Sequence, residues 1–245
     1  MTTTELALLH LAIAVIAFLY ASVGHAGASG YIATLTLAGL AADVVRPTAL
    51  VLNILVAILT TYQFARAGHF AWRRFWPFAL LSVPAAFAGG LLHVPTDLFK
   101  VMVGAVLLLS AARFAFRSED PPTTHFPPLG VALGAGALLG LLSGLTGTGG
   151  GIFLTPLMLH LGWARTKETA AVSAAFILAN SVSGLSGFLA SGRPLPSFAA
   201  SLAVVAVVAG FLGGYFGSRR FPVRTIRLTL AAVLLIAGGK LVFGL

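Results

Sequence analysis

The chain contains no cysteine, and it has very few charged residues. The absence of cysteine excludes disulfides, thiol redox relays and cysteine metal sites. Only 9% of residues are Asp, Glu, Lys or Arg, whereas a soluble domain carries about 25%. Acidic residues are the scarcest, with 6 in the 245-residue chain. This shortage of charge excludes both a soluble enzyme and a disordered chain.

Apolar residues make up 58% of the sequence and fall into long runs. The runs are continuous rather than alternating, which argues against a porin-like barrel. A spanning helix needs about 20 apolar residues, so the length allows about eight to ten membrane segments. The composition therefore predicts an all-α polytopic membrane protein with no soluble domain.

The net charge of +9 has a topological explanation. Basic residues lie at the ends of apolar runs, so we expect the chain to lie in a lipid bilayer and to bind no nucleic acid. The first basic residue is Arg46. Without a basic start, the first apolar run is predicted to be a membrane segment rather than a signal peptide.

The apolar runs form two similar groups, separated by a polar, proline-rich stretch. The first group is Leu6–Val23, Tyr31–Leu40, Pro47–Phe64, Phe75–Leu92 and Leu98–Phe116. The second is Leu129–Leu142, Gly151–Leu161, Thr169–Ala190, Phe198–Phe216 and Val223–Phe243. We therefore predict a first membrane repeat over 1–116, a cytoplasmic linker over 117–128 and a second membrane repeat over 129–245.

Glycines support an internal repeat. Three glycines of the first half precede three of the second by 120 residues: Gly24, Gly27 and Gly30 against Gly144, Gly147 and Gly150. Tyr31–Leu40 and Gly151–Leu161 are too short to span, because ten helical residues rise only about 15 Å. Each repeat is thus predicted to hold one broken or re-entrant helix hairpin plus three transmembrane helices.

The distribution of Lys and Arg predicts the orientation. With the loop that holds Arg66 placed inside, 11 basic residues fall inside and 4, including Arg46 and Arg193, fall outside. Both termini then lie outside. Equivalent loops of the two halves face opposite sides, which is the inverted repeat of many secondary transporters.

The stretch Gly144–Gly151 is the strongest candidate for a binding loop. Non-helical backbone at membrane depth is tolerated only inside protein or beside a wet cavity. A half-helix that starts there presents the positive end of its dipole, which favours an anion. Tight packing of helices through small residues is the alternative explanation.

Polar side chains accompany the two glycine turns. The candidate substrate-binding residues are Gly24, His25, Gly27, Ser29, Gly30 and Tyr31 in the first turn, Thr146, Gly147, Thr148, Gly149, Gly150 and Gly151 in the second, and Asn53, Ser173 and Asn180 on full-length segments. Intramembrane ionisable groups are functional candidates, so His25 is the candidate for proton coupling, unless it only braces its loop. Asn180 could instead join two helices.

At these residues the sequence resembles the sulfite exporter TauE/SafE family, also called the toluenesulfonate uptake permease family. The resemblance rests on Gly144–Pro156, on its repeat at Gly24–Tyr31, and on the pairs Gly89-Gly90 and Gly213-Gly214. It covers essentially the whole chain. The first turn departs from the family pattern, since His25 and Ser29 intrude and Thr36 stands where a proline is expected.

The resemblance implies a secondary transporter of small sulfur-containing anions, such as sulfite, sulfoacetate or other organosulfonates, in the bacterial inner membrane. All six carboxylates fall at segment ends or in loops, which also favours an anion over a cation as substrate. No catalytic residue, metal or cofactor is predicted. A passive anion channel remains an alternative. A further one is an intramembrane serine protease using Ser29, because Gly27-Ala28-Ser29-Gly30 matches a short G-x-S-G motif.

Overall fold

The computed structural model describes residues 3–93, 123–196 and 199–222, with isolated positions within 101–112 and 224–239. Over this part of the chain it contains eight helices and no strand: α1 (Thr3–Ser22), α2 (Ala28–Leu37), α3 (Ala42–Arg66), α4 (Trp72–Leu91), α5 (Leu129–Thr146), α6 (Gly151–His160), α7 (Thr166–Ala190) and α8 (Ala199–Arg219). The all-α prediction is confirmed.

Five of these helices are long and apolar enough to cross a membrane, namely α1, α3, α5, α7 and α8. Large apolar side chains on their outer faces are exposed, such as Leu11 and Val204, as expected where lipid replaces water. The segments predicted at 98–116 and 223–243 lie largely outside the described residues, as do residues 117–122 of the predicted linker.

Helix lengths and turns recur in the two halves. The short helices α2 and α6 have 10 residues each, and α3 and α7 have 25 each. Four pairs of glycines with positive φ correspond at 123 or 124 residues: Gly24 and Gly147, Gly27 and Gly150, Gly39 and Gly162, Gly68 and Gly192. The spacing of 120 suggested by the sequence is therefore wrong as a structural register, since Gly144 lies inside α5 rather than in the turn.

Helices of the first half pack in pairs with helices of the second half. α4 packs along α5, and α1 packs along α8. Gly89 lies directly on the carbonyl of Leu141, and Gly213 lies directly on the carbonyl of Phe18. A Cβ at either glycine would overlap that backbone, so the close approach of the helices needs glycine.

The two long helices α3 and α7 meet at the centre of the molecule. Leu50 of α3 lies beside Gly184 of α7, and Asn53 bonds to Ser181. Residue numbers rise along one helix as they fall along the other, so the helices are antiparallel. α3 also packs on α8 and α7 on α4, which places the two central helices between the two exchanged pairs.

The sequence places Arg46 just before the segment that begins at Pro47, whereas the structure places it inside a helix. Helix α3 begins at Ala42 and includes both residues. The Arg46 side chain is buried, and its guanidinium donates to backbone carbonyls of α4 and α5. These carbonyl partners replace water, which explains how a charge is accommodated inside the protein.

Candidate functional site

Two glycine turns precede the short helices, and both are built alike. Gly27 and Gly150 are the N-caps of α2 and α6, with φ angles of 107° and 79°. Side chains disfavour this left-handed conformation, which glycine adopts readily. Neither N-cap provides a side-chain hydrogen bond. Each turn therefore presents the positive end of a helix dipole to a buried position without a capping side chain.

Hydroxyl and amide groups surround the start of α6. A Cβ placed on Gly150 would lie 3.3 Å from Asn180 Nδ2 and 3.3 Å from Ser143 Cβ. Asn180 Oδ1 accepts a hydrogen bond of 2.7 Å from Ser82 Oγ. Asn180 Nδ2 and Ser143 Oγ are buried and have no hydrogen-bond partner among the described residues. Two donors thus remain unused beside the N-terminus of α6.

Asn53 approaches the same turn from α3. A Cβ on Gly149 would lie 2.8 Å from Asn53 Nδ2 and 2.9 Å from Ser181 Oγ. Asn53 Nδ2 donates to Ser181 Oγ at 3.3 Å. Thr148 completes the turn, with its hydroxyl 2.9 Å from that of Thr146. The second turn is therefore enclosed by polar groups of both central helices.

His25 links the first turn to the second half. Its Nε2 lies 3.2 Å from the Gly151 carbonyl oxygen and 3.1 Å from Thr155 Oγ1. Thr155 Oγ1 in turn lies 2.8 Å from Ser173 Oγ. The imidazole thus joins the two turns, and its contacts continue through Thr155 to α7.

The remaining candidates of the first turn contact their own half or pack tightly. Ser29 Oγ donates to the Tyr20 hydroxyl at 2.9 Å, and the Tyr31 hydroxyl donates to the Ala26 carbonyl at 2.7 Å. The Tyr31 ring covers Gly27. The Ser29 bond goes to a tyrosine rather than to a histidine, which argues against an activated serine nucleophile.

Among the buried polar residues that the structure describes, none is acidic. A site made of backbone dipoles, amides, hydroxyls and an imidazole suits a small anion.

The family model for the sulfite exporter TauE/SafE family matches residues 9–241. The chain belongs to the TauE/SafE family. Its sequence is 40% identical over 245 residues to the probable membrane transporter protein y4hK of Sinorhizobium fredii (strain NBRC 101917 / NGR234), covering 98% of this chain and 99% of that relative. No solved structure matches the chain.

The sequence analysis of this TauE/SafE protein missed several polar residues at the site. They are Ser82, Ser143, Thr155, Ser181 and Arg46. The four hydroxyl residues lie in apolar helices, where Ser and Thr are common, so sequence gave no strong signal. The sequence spacing does place five small or polar residues on one helical face, and all five are buried on α7: Thr169, Ser173, Asn180, Gly184 and Gly187.

In this TauE/SafE protein, His69 lies in the turn between α3 and α4 and is expected to reduce stability in acid. Burial lowers the pKa of His69 below 6.5, and the positive charge of Lys167 lowers it further, although the carbonyl of Ser218 opposes this shift. Below about pH 6.5 the unfolded chain then binds more protons than the folded one, so stability falls as pH falls.

The melting temperature in detergent, measured at about pH 7.5 and about pH 5.5, tests this expectation. His69→Gln should reduce the loss on acidification, and Lys167→Gln should reduce it in part. An unchanged loss in His69→Gln would assign the acid sensitivity to other groups.

Proposed function

We propose that this protein is a secondary transporter of small sulfur-containing anions, such as sulfite, sulfoacetate or other organosulfonates, across the bacterial inner membrane. The family description and the relative's name support transport. The observation that carries the proposal is the pair of glycine turns between α3 and α7. Both start a half-helix without a side-chain cap, and unused donors of Asn180 and Ser143 lie beside the second.

In this proposal the anion binds between the N-termini of α2 and α6. Gly150 and Gly151 bring backbone amides to the anion, while Asn180 and Ser143 donate hydrogen bonds. All oxygens of a small oxyanion accept hydrogen bonds, so a site that is rich in donors and free of carboxylates recognises such an anion. The site is buried, so access to it requires a change of conformation.

The proposed change is alternating access between two inverted repeats, 1–116 and 129–245. Helices α3 and α7 occupy equivalent positions, yet they are antiparallel. A two-fold axis that relates antiparallel spanning helices lies in the membrane plane, which supports inversion. Rocking of one repeat against the other would then open the central site to each side in turn.

Counterflow in proteoliposomes tests the function. Vesicles loaded with unlabelled sulfite or sulfoacetate should take up the labelled anion transiently against its gradient. A passive channel would conduct without counterflow. Absence of any anion movement would contradict the proposal.

Two equivalent turn positions test the inversion. Ala67 and Ser191 are the C-caps of α3 and α7, and the absence of native cysteine leaves no background labelling. In intact cells an impermeant thiol reagent should label Ser191→Cys and not Ala67→Cys, because the orientation predicted from Lys and Arg has both termini and residue 191 outside. Labelling of both variants would refute the inverted repeat.

Proton coupling is proposed to use His25, since it contacts both turns and its imidazole can exchange a proton. An alkanesulfonate is the suitable probe, because it does not titrate near neutral pH. An imposed pH gradient should drive its accumulation by the wild type. His25→Gln should keep counterflow but lose this accumulation, while His10→Gln, on the α1 surface, should keep both. Accumulation by His25→Gln would leave His25 only a bracing role.

A further inference from the structure

Two arginines converge on the C-terminal end of α4. Arg46 and Arg193 each donate to the carbonyl oxygen of Gly90, at 3.1 Å and 2.7 Å. Both guanidinium groups also lie over the ring of Phe188, at 5.9 Å and 4.1 Å from its centroid. Two positive charges are therefore held close together, and they interact with one backbone oxygen and one aromatic face.

The carbonyls of the α4 end offset this repulsion only partly. Arg46 also donates to the carbonyls of Gly89 and Leu92, at 2.6 Å and 2.9 Å, and these carbonyls carry the partial negative charge of the helix dipole. The nearby carboxylate of Asp43 attracts the positive charge of Arg193. Neither arginine forms an ion pair within the part of the chain that the structure describes.

Arg46 also retains an unused donor. Its side chain is 3% exposed, and its Nε has no hydrogen-bond partner among the described residues. Arg193 lies in the turn after α7 and is partly exposed. One guanidinium therefore lies at the surface, and the other, buried behind it, has a free donor.

The buried arginine adjoins the second glycine turn. Its guanidinium donates to the carbonyl of Gly144, near the end of α5. A Cβ placed on Gly147 would lie 3.0 Å from Arg46 Cγ. The sequence of contacts runs from the surface at Arg193, through Arg46, to the turn that precedes α6.

We propose that Arg193 and Arg46 form an access site for small oxyanions, which leads from one membrane face to the glycine turn before α6. This inference rests on the proposed anion transport. A guanidinium forms strong, charge-assisted hydrogen bonds to sulfonate or sulfite oxygens, and the Nε–H of Arg46 is unused for one of them. A bound anion would also relieve the repulsion between the two arginines. The site exists in one half only, since the equivalent positions hold Ala170 and His69.

The first experiment measures binding of sulfite by thermal stabilisation, which does not require transport. Arg193→Gln should weaken binding about tenfold at an ionic strength of about 0.01 M, and the difference should nearly vanish at about 1 M, because salt screens an exposed charge. Arg193→Lys should stay within about threefold of the wild type, because it keeps the charge. Ser191→Ala, which removes a hydrogen bond to Arg193, is the control and should bind normally.

A purely structural role of Arg193 would weaken binding equally at both ionic strengths, or not at all, and either result overturns the access site. Arg46→Lys should bind more tightly than Arg46→Gln by about tenfold; equal binding by these two variants would also count against it. If Arg46→Gln does not fold, the Arg193 series still decides the question.

Counterflow of the same variants separates this inference from the proposed function. Binding that depends on Arg193, without counterflow by the wild type, would keep the anion site and reject the transporter. Counterflow by the wild type that Arg193→Gln leaves unchanged at low salt would keep the transporter and reject the access site.

Discussion

Gly150→Val is expected to reduce anion transport to the background level. Gly150 has a φ of 79°, and a Cβ there would lie 2.8 Å from the ring of Phe176 and 3.3 Å from Asn180 Nδ2. The isopropyl group would therefore fill the space in front of the α6 N-terminus, where the anion is proposed to meet backbone amides. Counterflow and sulfite binding in detergent both measure the loss.

Backbone strain alone must be separated from this effect, because a β-branched residue at positive φ is unfavourable by about 1–2 kcal/mol. Gly68, in the turn after α3, offers a matched control. It has the same φ of 79°, and a Cβ there would have no neighbour within 4 Å. Gly68→Val should keep transport while losing the stability that backbone strain alone removes. If both variants lose transport in proportion to folded protein, the glycine turn serves packing rather than binding.

Asn180→Asp is expected to abolish anion binding at neutral pH. Asn180 is fully buried beside the start of α6, and Asp has nearly the same shape. An ionised carboxylate would occupy the favourable end of the dipole and repel the anion. At an effective dielectric constant of 20, two charges about 4 Å apart interact by about 4 kcal/mol, which corresponds to about a thousandfold in affinity.

The size and pH dependence of the loss identify its cause. Asn180→Leu removes the donor without adding charge and should weaken binding only about tenfold. Acidification should restore binding by Asn180→Asp as the carboxyl group becomes neutral, and it should not restore Asn180→Leu. Wild-type affinity in Asn180→Asp would remove Asn180 from the site and leave it a link to Ser82.

The all-helical class and the two broken segments could be predicted because their signals are local. Continuous apolar runs require helices in a membrane, and glycine clusters interrupt them. The structure begins α6 at Gly151, as predicted, but begins α2 at Ala28 rather than at Tyr31, so Ser29 and Gly30 lie in the helix and not in the turn. The polar face of α7, from Thr169 to Gly187, could also be predicted, because its residues recur with the period of a helix.

The rest depends on contacts between distant segments. Ser82 and Ser143 become site residues only because α4 and α5 bring them beside Asn180 and Gly150. Arg46 resembled a topological marker because sequence reasoning expects arginine at membrane ends, whereas carbonyls of two other helices solvate it inside. The repeat spacing of 120 residues predicted from the sequence was wrong, because glycines serve helix packing, as Gly144 does, as well as turns.

The exchanged packing of α1 on α8 has a consequence for biosynthesis. Phe18 and Ser22 of α1 have their closely packed glycine partners in Gly213 and Gly217, which emerge from the ribosome near the end of the chain. The chain is synthesised at about 5–20 residues per second, so about 10–40 s pass between the synthesis of α1 and that of its partner α8. During that interval lipid or an insertion chaperone must cover its inner face. A chain truncated before α8 therefore presents an unpartnered helix that membrane quality control can recognise.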